Sequence, residues 1–212
     1  MAIPETPIFY PYTFENLNAI IAGLKPCSDD RILAIGGSGD QAFALVEYAD
    51  VVVAERNPEQ LEYIKRRKIM LNAGDYFSFV HSAGLGFDNH QLDCNLDYFM
   101  EDGRKNRIHA RLSHLELGEP KSLEEHASER KFTKIYASDA NSKIHRRGTI
   151  QEQLAAILTG LEHGGLLYVA SGYVSGLIDV RAMGLEEVQE LTAAAREIEN
   201  LYHPAVYMKV EA

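Results

Sequence analysis

The chain has 212 residues, 46% hydrophobic and 25% charged, enough for one domain with a sizeable core. A formal net charge of -10 and a pI near 5.3 argue against a nucleic-acid backbone as the main partner, because phosphates are gripped by clustered Lys and Arg. That balance favours a small-molecule acceptor; two cysteines far apart in sequence indicate neither a disulfide framework nor a zinc site, so a cytoplasmic setting is expected, and no stretch approaches the ~18 apolar residues of a membrane span.

In chain order, a Pro-rich start leads into a helical pattern over Thr13 to Leu24 that stops at Pro26. Arg31 to Ile35 and Val51 to Glu55 are short apolar runs of strand length, each followed by a helical pattern, which predicts a parallel beta-alpha-beta unit. Asn57 and Pro58 open the next helix as N-cap and first-turn residue. From 81 to 105 the pattern weakens into an insertion. Three further strands are expected over Arg111 to Leu117, Phe132 to Ala137 and Leu166 to Ala170, with helices over Ile150 to Leu161 and Leu185 to Leu201. Ala205 to Val210 reads as a last, antiparallel edge strand. The expectation is therefore an α/β, doubly wound, mostly parallel Rossmann-like sheet with an N-terminal helical extension, one domain over 1–212 in which 1–30 form the arm and helix.

In such a sheet, ligands settle beyond the carboxyl ends of the strands. Gly36, Gly37 and Gly39 lie at the first turn there, with Ser38 between them, and would let a ligand approach the backbone. Glu55, directly after VVVA, stands where a carboxylate can accept both hydroxyl hydrogens of a ribose. Gly37 to Ala42 also fits GxGxxA, so NAD competes for the same turn. Asp40, however, would set a carboxylate at the helix start where a dinucleotide puts its pyrophosphate. A ligand with a cationic centre and an ammonium, such as S-adenosylmethionine, suits that acid. No Lys-Ser or Lys-Thr follows the glycines, which excludes a Walker-type phosphate loop.

The remaining pocket candidates are Asn57 beside Glu55, His114 to Glu116 at the end of the third strand, and Ser138 to Ser142 after the fourth. His114 and Glu116, alternating along a strand, are expected on one face, lining the adenine or acceptor pocket. Asp139 is the candidate to hold an ammonium or orient an acceptor, and Tyr10 and Tyr12 the candidates for a lid. Lys65 to Lys68 reads as an exposed helix face.

AIGGSG over Ala34 to Gly39, Glu55, YASD over Tyr136 to Asp139 and GGLLYV over Gly164 to Val169 together resemble the S-adenosylmethionine-dependent transferases of the class I methyltransferase fold. The resemblance implies S-adenosyl-L-methionine held by Gly36, Gly37, Ser38, Gly39, Asp40, Glu55, Asn57, Leu115, Glu116 and Ser138, with Asp139 and Tyr10 closest to catalysis. Ala34 and Ile35 stand where many of those enzymes carry an acid. More narrowly, GGSGDQAFALVE with ERNPEQLEYIKRRK is similar to the bacterial enzymes that move the 3-amino-3-carboxypropyl group to diacylglycerol, and FENLNAI and NLYHPAVYMKV are similar to segments of nicotianamine synthases. Both imply transfer of the same group. An NAD-linked oxidoreductase and a non-catalytic S-adenosylmethionine-binding module are the alternatives.

Overall fold

Arg31–Ile35 forms β1 and Asp50–Ala54 forms β2, parallel to each other with Leu33 opposite Val52 in a computed structural model that describes residues 10, 12–82, 97–138, 147–170, 179–199 and 201–211. Side chains of β1 alternate between two apolar clusters, Ile32 and Ala34 in one and Leu33 in the other, so the sheet is buried on both faces. Phe132–Ala137 (β4) pairs with the other flank of β1, and Leu161–Val169 (β5) lies beyond it, both parallel. Leu115–Glu116 (β3), Leu185–Glu187 (β6) and Ala205–Lys209 (β7) complete the order β3-β2-β1-β4-β5-β7-β6. Both pairings of β7, with β5 and with β6, are antiparallel, and the pairings among the other strands are parallel. The order reverses between β1 and β4, and the crevice beyond their carboxyl ends is where this topology receives a ligand.

Helices cover both faces. Leu17–Leu24 (α1), Asp40–Val46 (α2), Pro58–Asn72 (α3), Tyr76–His81 (α4), Arg104–Ala110 (α5) and Gln189–Ile198 (α8) supply one cluster through residues such as Ile20, Phe43, Ile64, Phe79, Ile108 and Ala195. Leu123–Glu129 (α6) and Arg147–Gly160 (α7) supply the other through Leu123, Ala127, Leu154 and Ile157. Capping explains several boundaries. The Asn57 side chain accepts the Glu59 N–H at 3.1 Å with Pro58 in the first turn of α3, and Ser122 with Glu125 forms a reciprocal capping box on α6. Among the described residues no helix is long and apolar enough to cross a membrane.

Several expectations change. The first helix begins at Leu17 and not at Thr13, because Asn16 caps it and Thr13 is tied elsewhere. The third strand shrinks to two residues: Leu112–His114 takes a 3-10 turn before Leu115 reaches β2. The run from Leu185 to Leu201 divides, since Gly184 in a left-handed turn hands Leu185–Glu187 to the sheet before the helix starts at Gln189. That addition makes β6 the edge and places β7 inside the sheet. Of the expected insertion, 83–96 lies outside the described residues. Residues 97–100 are helical, and Tyr98 and Phe99 enter the core.

Candidate functional site

The turn after β1 is shaped by Gly36 and Gly37. The Gly36 N–H still donates to the Ala54 carbonyl at 2.8 Å, and a Cβ on Gly36 would lie 2.7 Å from Glu55 Cβ, so its missing side chain is what lets Glu55 sit against the turn. Gly37 has φ +49°, and a Cβ there would meet nothing within 4 Å. The space over Gly37 is open. Gly39, by contrast, faces inward: a Cβ on it would come within 3.0 Å of Ile64 on α3.

Glu55 is held by backbone donors, accepting the Gly37 N–H at 3.2 Å on one oxygen and the Asn57 N–H at 2.8 Å on the other. Burial raises its pKa above the ordinary glutamate value, against the pull of those N–H groups. The carboxylate is therefore oriented at the end of β2. Asn57 meets Glu55 through its backbone, while its side chain is occupied in capping α3. The Lys121 N–H donates to the Glu55 carbonyl at 3.0 Å, which brings the segment after β3 alongside.

Asp40 has a different place from the one the sequence suggested. Its carboxylate is buried beneath the turn, where it pairs with Arg67 at 2.6 Å and accepts the Ser38 hydroxyl at 2.7 Å and the Thr13 N–H at 2.9 Å. Arg67 also donates to the Ser38 carbonyl at 2.9 Å, and its guanidinium lies 4.4 Å from the Phe79 ring centroid. Ser38 and Asp40 thus fasten the turn to α3. Their side chains do not face the crevice, and the Arg67 charge removes the repulsion of an anionic ligand expected from Asp40. The basic run of α3 is accordingly not a uniformly exposed face: Arg67 is 2% exposed, and Lys68 donates to the Leu115 carbonyl at 2.6 Å.

The N-terminal arm crosses close to the open side. Gln60 donates to the carbonyls of Tyr10 at 2.8 Å and Gly37 at 2.7 Å and accepts the Tyr10 N–H at 3.3 Å, so it staples the arm to the glycine turn. Tyr10 is half-buried there. Tyr12 is buried, packed edge-on against Phe14 at 4.9 Å between centroids, which makes it a core residue and no lid. Further along, Glu15 is buried at the carboxyl end of β4, accepting the Tyr136 and Ser138 hydroxyls at 2.6 Å each. Burial and then the nearby Glu15 charge push the Tyr136 phenol well up, so it stays a neutral donor. The side chain of Ser138, a candidate from the sequence, donates to Glu15, an acid in an ordinary-looking helix entrance that the sequence did not single out. The candidates at 139–142 fall outside the described residues.

The third strand does not contribute as expected. Leu115 is buried opposite Val51, near the start of β2, and exposed Glu116 pairs with Arg130 at 2.6 Å and Arg31 at 3.9 Å. His114 contacts Asp50, the first residue of β2, at 2.7 Å. Because β3 pairs only with the early part of β2, these side chains lie away from the crevice. Among the described residues no group of His, Cys, Asp and Glu could hold a metal ion.

No protein-family model matches the chain, and neither does any curated protein. Solved structures do. NodS, an N-methyltransferase from Bradyrhizobium japonicum WM9 solved with S-adenosyl-L-homocysteine, is 12% identical with a TM-score of 0.56, over 92% of this chain and 86% of that one. TrmN from Thermus thermophilus is 14% identical with a TM-score of 0.54, over 98% of this chain and 52% of that one. A precorrin 8W decarboxylase from Methanobacterium thermoautotrophicum is 18% identical with a TM-score of 0.50, over 89% and 82%. The fold is the methyltransferase-like Rossmann fold.

Proposed function

We propose that the protein is a transferase that binds S-adenosylmethionine across the glycine turn and passes one of its sulfonium-bound groups to a small-molecule acceptor. The observation that carries this reading is Glu55: a carboxylate oriented by two backbone N–H groups beside the open space over Gly37, placed to accept the two hydroxyls of a ribose. The NodS structure, with its bound S-adenosyl-L-homocysteine, supports the choice of ligand on the shared fold. The acidic net charge supports a small acceptor over a nucleic acid. Asp40 no longer argues against a dinucleotide, so NAD is separated from S-adenosylmethionine by titration calorimetry with both.

When bound, S-adenosylmethionine supplies a sulfonium whose attached carbons are open to displacement, the breaking bond's electron pair returning to sulfur. The chain's own work is to bind, orient and exclude water: Glu55 fixes the ribose, the turn admits the ligand to the backbone, and the arm stapled by Gln60 borders the open side. In-line displacement of this kind requires no covalent side chain. Asp139 is the proposed residue to orient the acceptor, with Tyr10 flanking the ligand.

The finer reading is transfer of the 3-amino-3-carboxypropyl group, supported by the resemblance in GGSGDQAFALVE and FENLNAI. Incubation with S-adenosylmethionine and cell extract, followed by chromatography, tests it. Methylthioadenosine is the expected product; S-adenosylhomocysteine overturns the finer reading in favour of methyl transfer, and neither product despite tight binding favours a binding module.

A further inference from the structure

The first turn of α3 supplies two of the groups that shape the site. Asn57, its N-cap, gives its N–H to one Glu55 oxygen at 2.8 Å, and Gln60, within that turn, gives its side-chain amide to the Gly37 carbonyl at 2.7 Å. Gly37 is thereby held from both ends, its N–H by the other Glu55 oxygen at 3.2 Å and its carbonyl by Gln60. Glycine populates positive and negative φ about equally, so at φ +49° the side-chain partners decide which orientation the turn presents.

Gln60 has a second duty. Its other Nε2 hydrogen goes to the Tyr10 carbonyl at 2.8 Å and its Oε1 accepts the Tyr10 N–H at 3.3 Å, a two-point contact with the backbone of the arm. Both hydrogens and the oxygen of the amide are engaged, the side chain is 1% exposed, and reversing the amide would set its oxygen against two carbonyls. The amide therefore has one orientation that satisfies its partners. If the arm leaves, the amide loses both of its Tyr10 bonds, and turning it toward new partners takes the bond to Gly37 with it. Tyr10, Gln60, Gly37 and Glu55 form a continuous chain of hydrogen bonds from the arm to the carboxylate proposed for the ribose.

A group that both holds the arm and sets Gly37 cannot serve one without the other. We infer that Gln60 is a positioning residue that links docking of the arm at Tyr10 to binding of the adenosine ligand at Gly37 and Glu55, each favouring the other. The inference rests on the function proposed above and concerns the regulation of that same site. Linkage makes the effect reciprocal: by whatever factor the docked arm tightens the ligand, the ligand tightens the arm, and such couplings span about 5- to 150-fold.

Hydrogen exchange of the amide at position 10, read by nuclear magnetic resonance with and without saturating S-adenosylhomocysteine, tests the link from the side of the arm. In wild type the ligand should slow that exchange by at least about 5-fold. In Gln60→Leu, which keeps bulk but has no amide, exchange should be fast and should not respond to bound ligand. Calorimetry tests the link from the side of the ligand through two arm variants. Tyr10→Ala keeps the N–H that Gln60 accepts and Tyr10→Pro lacks it, so Tyr10→Pro should bind S-adenosylhomocysteine more weakly than Tyr10→Ala by about 5-fold or more. The difference should vanish when both are built into a Gln60→Leu background. Wild-type exchange that ignores bound ligand, or equal affinity of the two arm variants, overturns the inference whether or not Gln60→Leu folds. Ligand-dependent slowing that survives in Gln60→Leu also overturns it, because the ligand would then cover the arm directly. Failure of wild type to bind S-adenosylhomocysteine defeats the proposed function itself, a result distinct from a ligand that binds and leaves the arm unaffected.

Discussion

On the α3 side of the glycine turn, the Asp40 carboxylate meets the Arg67 guanidinium at 2.6 Å, and both side chains are almost wholly buried. On the β4 side, the Glu15 carboxylate, equally buried, meets the hydroxyls of Tyr136 and Ser138. The first arrangement cancels charge and adds aromatic contacts around the guanidinium, so its product is a rigid turn. The second holds its carboxylate with hydroxyl donors and joins the N-terminal arm to the end of β4. Two acids that look alike in sequence thus differ in what they fasten, according to the partner that the fold delivers.

The contrast breaks most severely at Arg67. Arg67→Met leaves Asp40 buried without its cation, and the expected loss in chemical denaturation is about 3–5 kcal/mol. Adding Asp40→Asn to that variant should restore part of the loss, because the buried charge is then gone. An Arg67→Met protein as stable as wild type would mean that the pair does not hold the turn.

Next in size is Glu55, on the ligand side. Glu55→Ala should weaken S-adenosylmethionine by about 1.5–3 kcal/mol in titration calorimetry, the worth of charge-assisted bonds to the two ribose hydroxyls. Unchanged affinity would remove Glu55 from the ligand.

Much of this division lay outside what a single sequence displays. The β1 and β4 runs are legible because short apolar segments between polar residues have few alternatives in a doubly wound sheet, and both are found at the expected residues. The glycine turn and Glu55 are legible for the same reason, being local to one beta-alpha-beta unit. Arg67 is not, since its partner lies 27 positions away and its neighbours Arg66 and Lys68 make the run look solvated. Glu15 is less so, because Tyr136 lies 121 positions away and only the docking of the arm joins them. The alternation in LSHLEL suggests a longer strand than the two-residue β3, because a 3-10 turn consumes its first half.

Gly37 offers a smaller perturbation of the open side. Gly37→Asn introduces a residue that tolerates positive φ into space where a Cβ meets no atom within 4 Å, so stability should fall by only about 1–2 kcal/mol or less. Ligand affinity should fall further than stability, because the new side chain occupies the ligand's room. Calorimetry and denaturation on the same preparation compare the two, and retained affinity would assign the turn to packing alone.

The smallest effect is a pH dependence with opposite signs in the free and bound protein. Burial raises the Glu55 pKa in the free protein, so folding favours its protonated form. Its contribution to stability is therefore fully present below the unfolded carboxylate pKa and is lost as pH rises through the raised folded value. Ligand binding runs the other way, since accepting both ribose hydroxyls requires the ionised carboxylate. Affinity for S-adenosylhomocysteine should accordingly be highest at neutral pH and decline as pH falls toward the raised Glu55 value, beginning above the ordinary glutamate pKa of about 4.3 and amounting to a few-fold, on the order of 1 kcal/mol or less. Calorimetry from about pH 7 down to the ordinary glutamate pKa of about 4.3, with circular dichroism to confirm that the fold persists, follows this decline; Glu55→Gln should abolish it. A wild-type affinity that stays flat across that range, or a decline that survives in Glu55→Gln, would place the titrating group elsewhere and detach the ribose from Glu55.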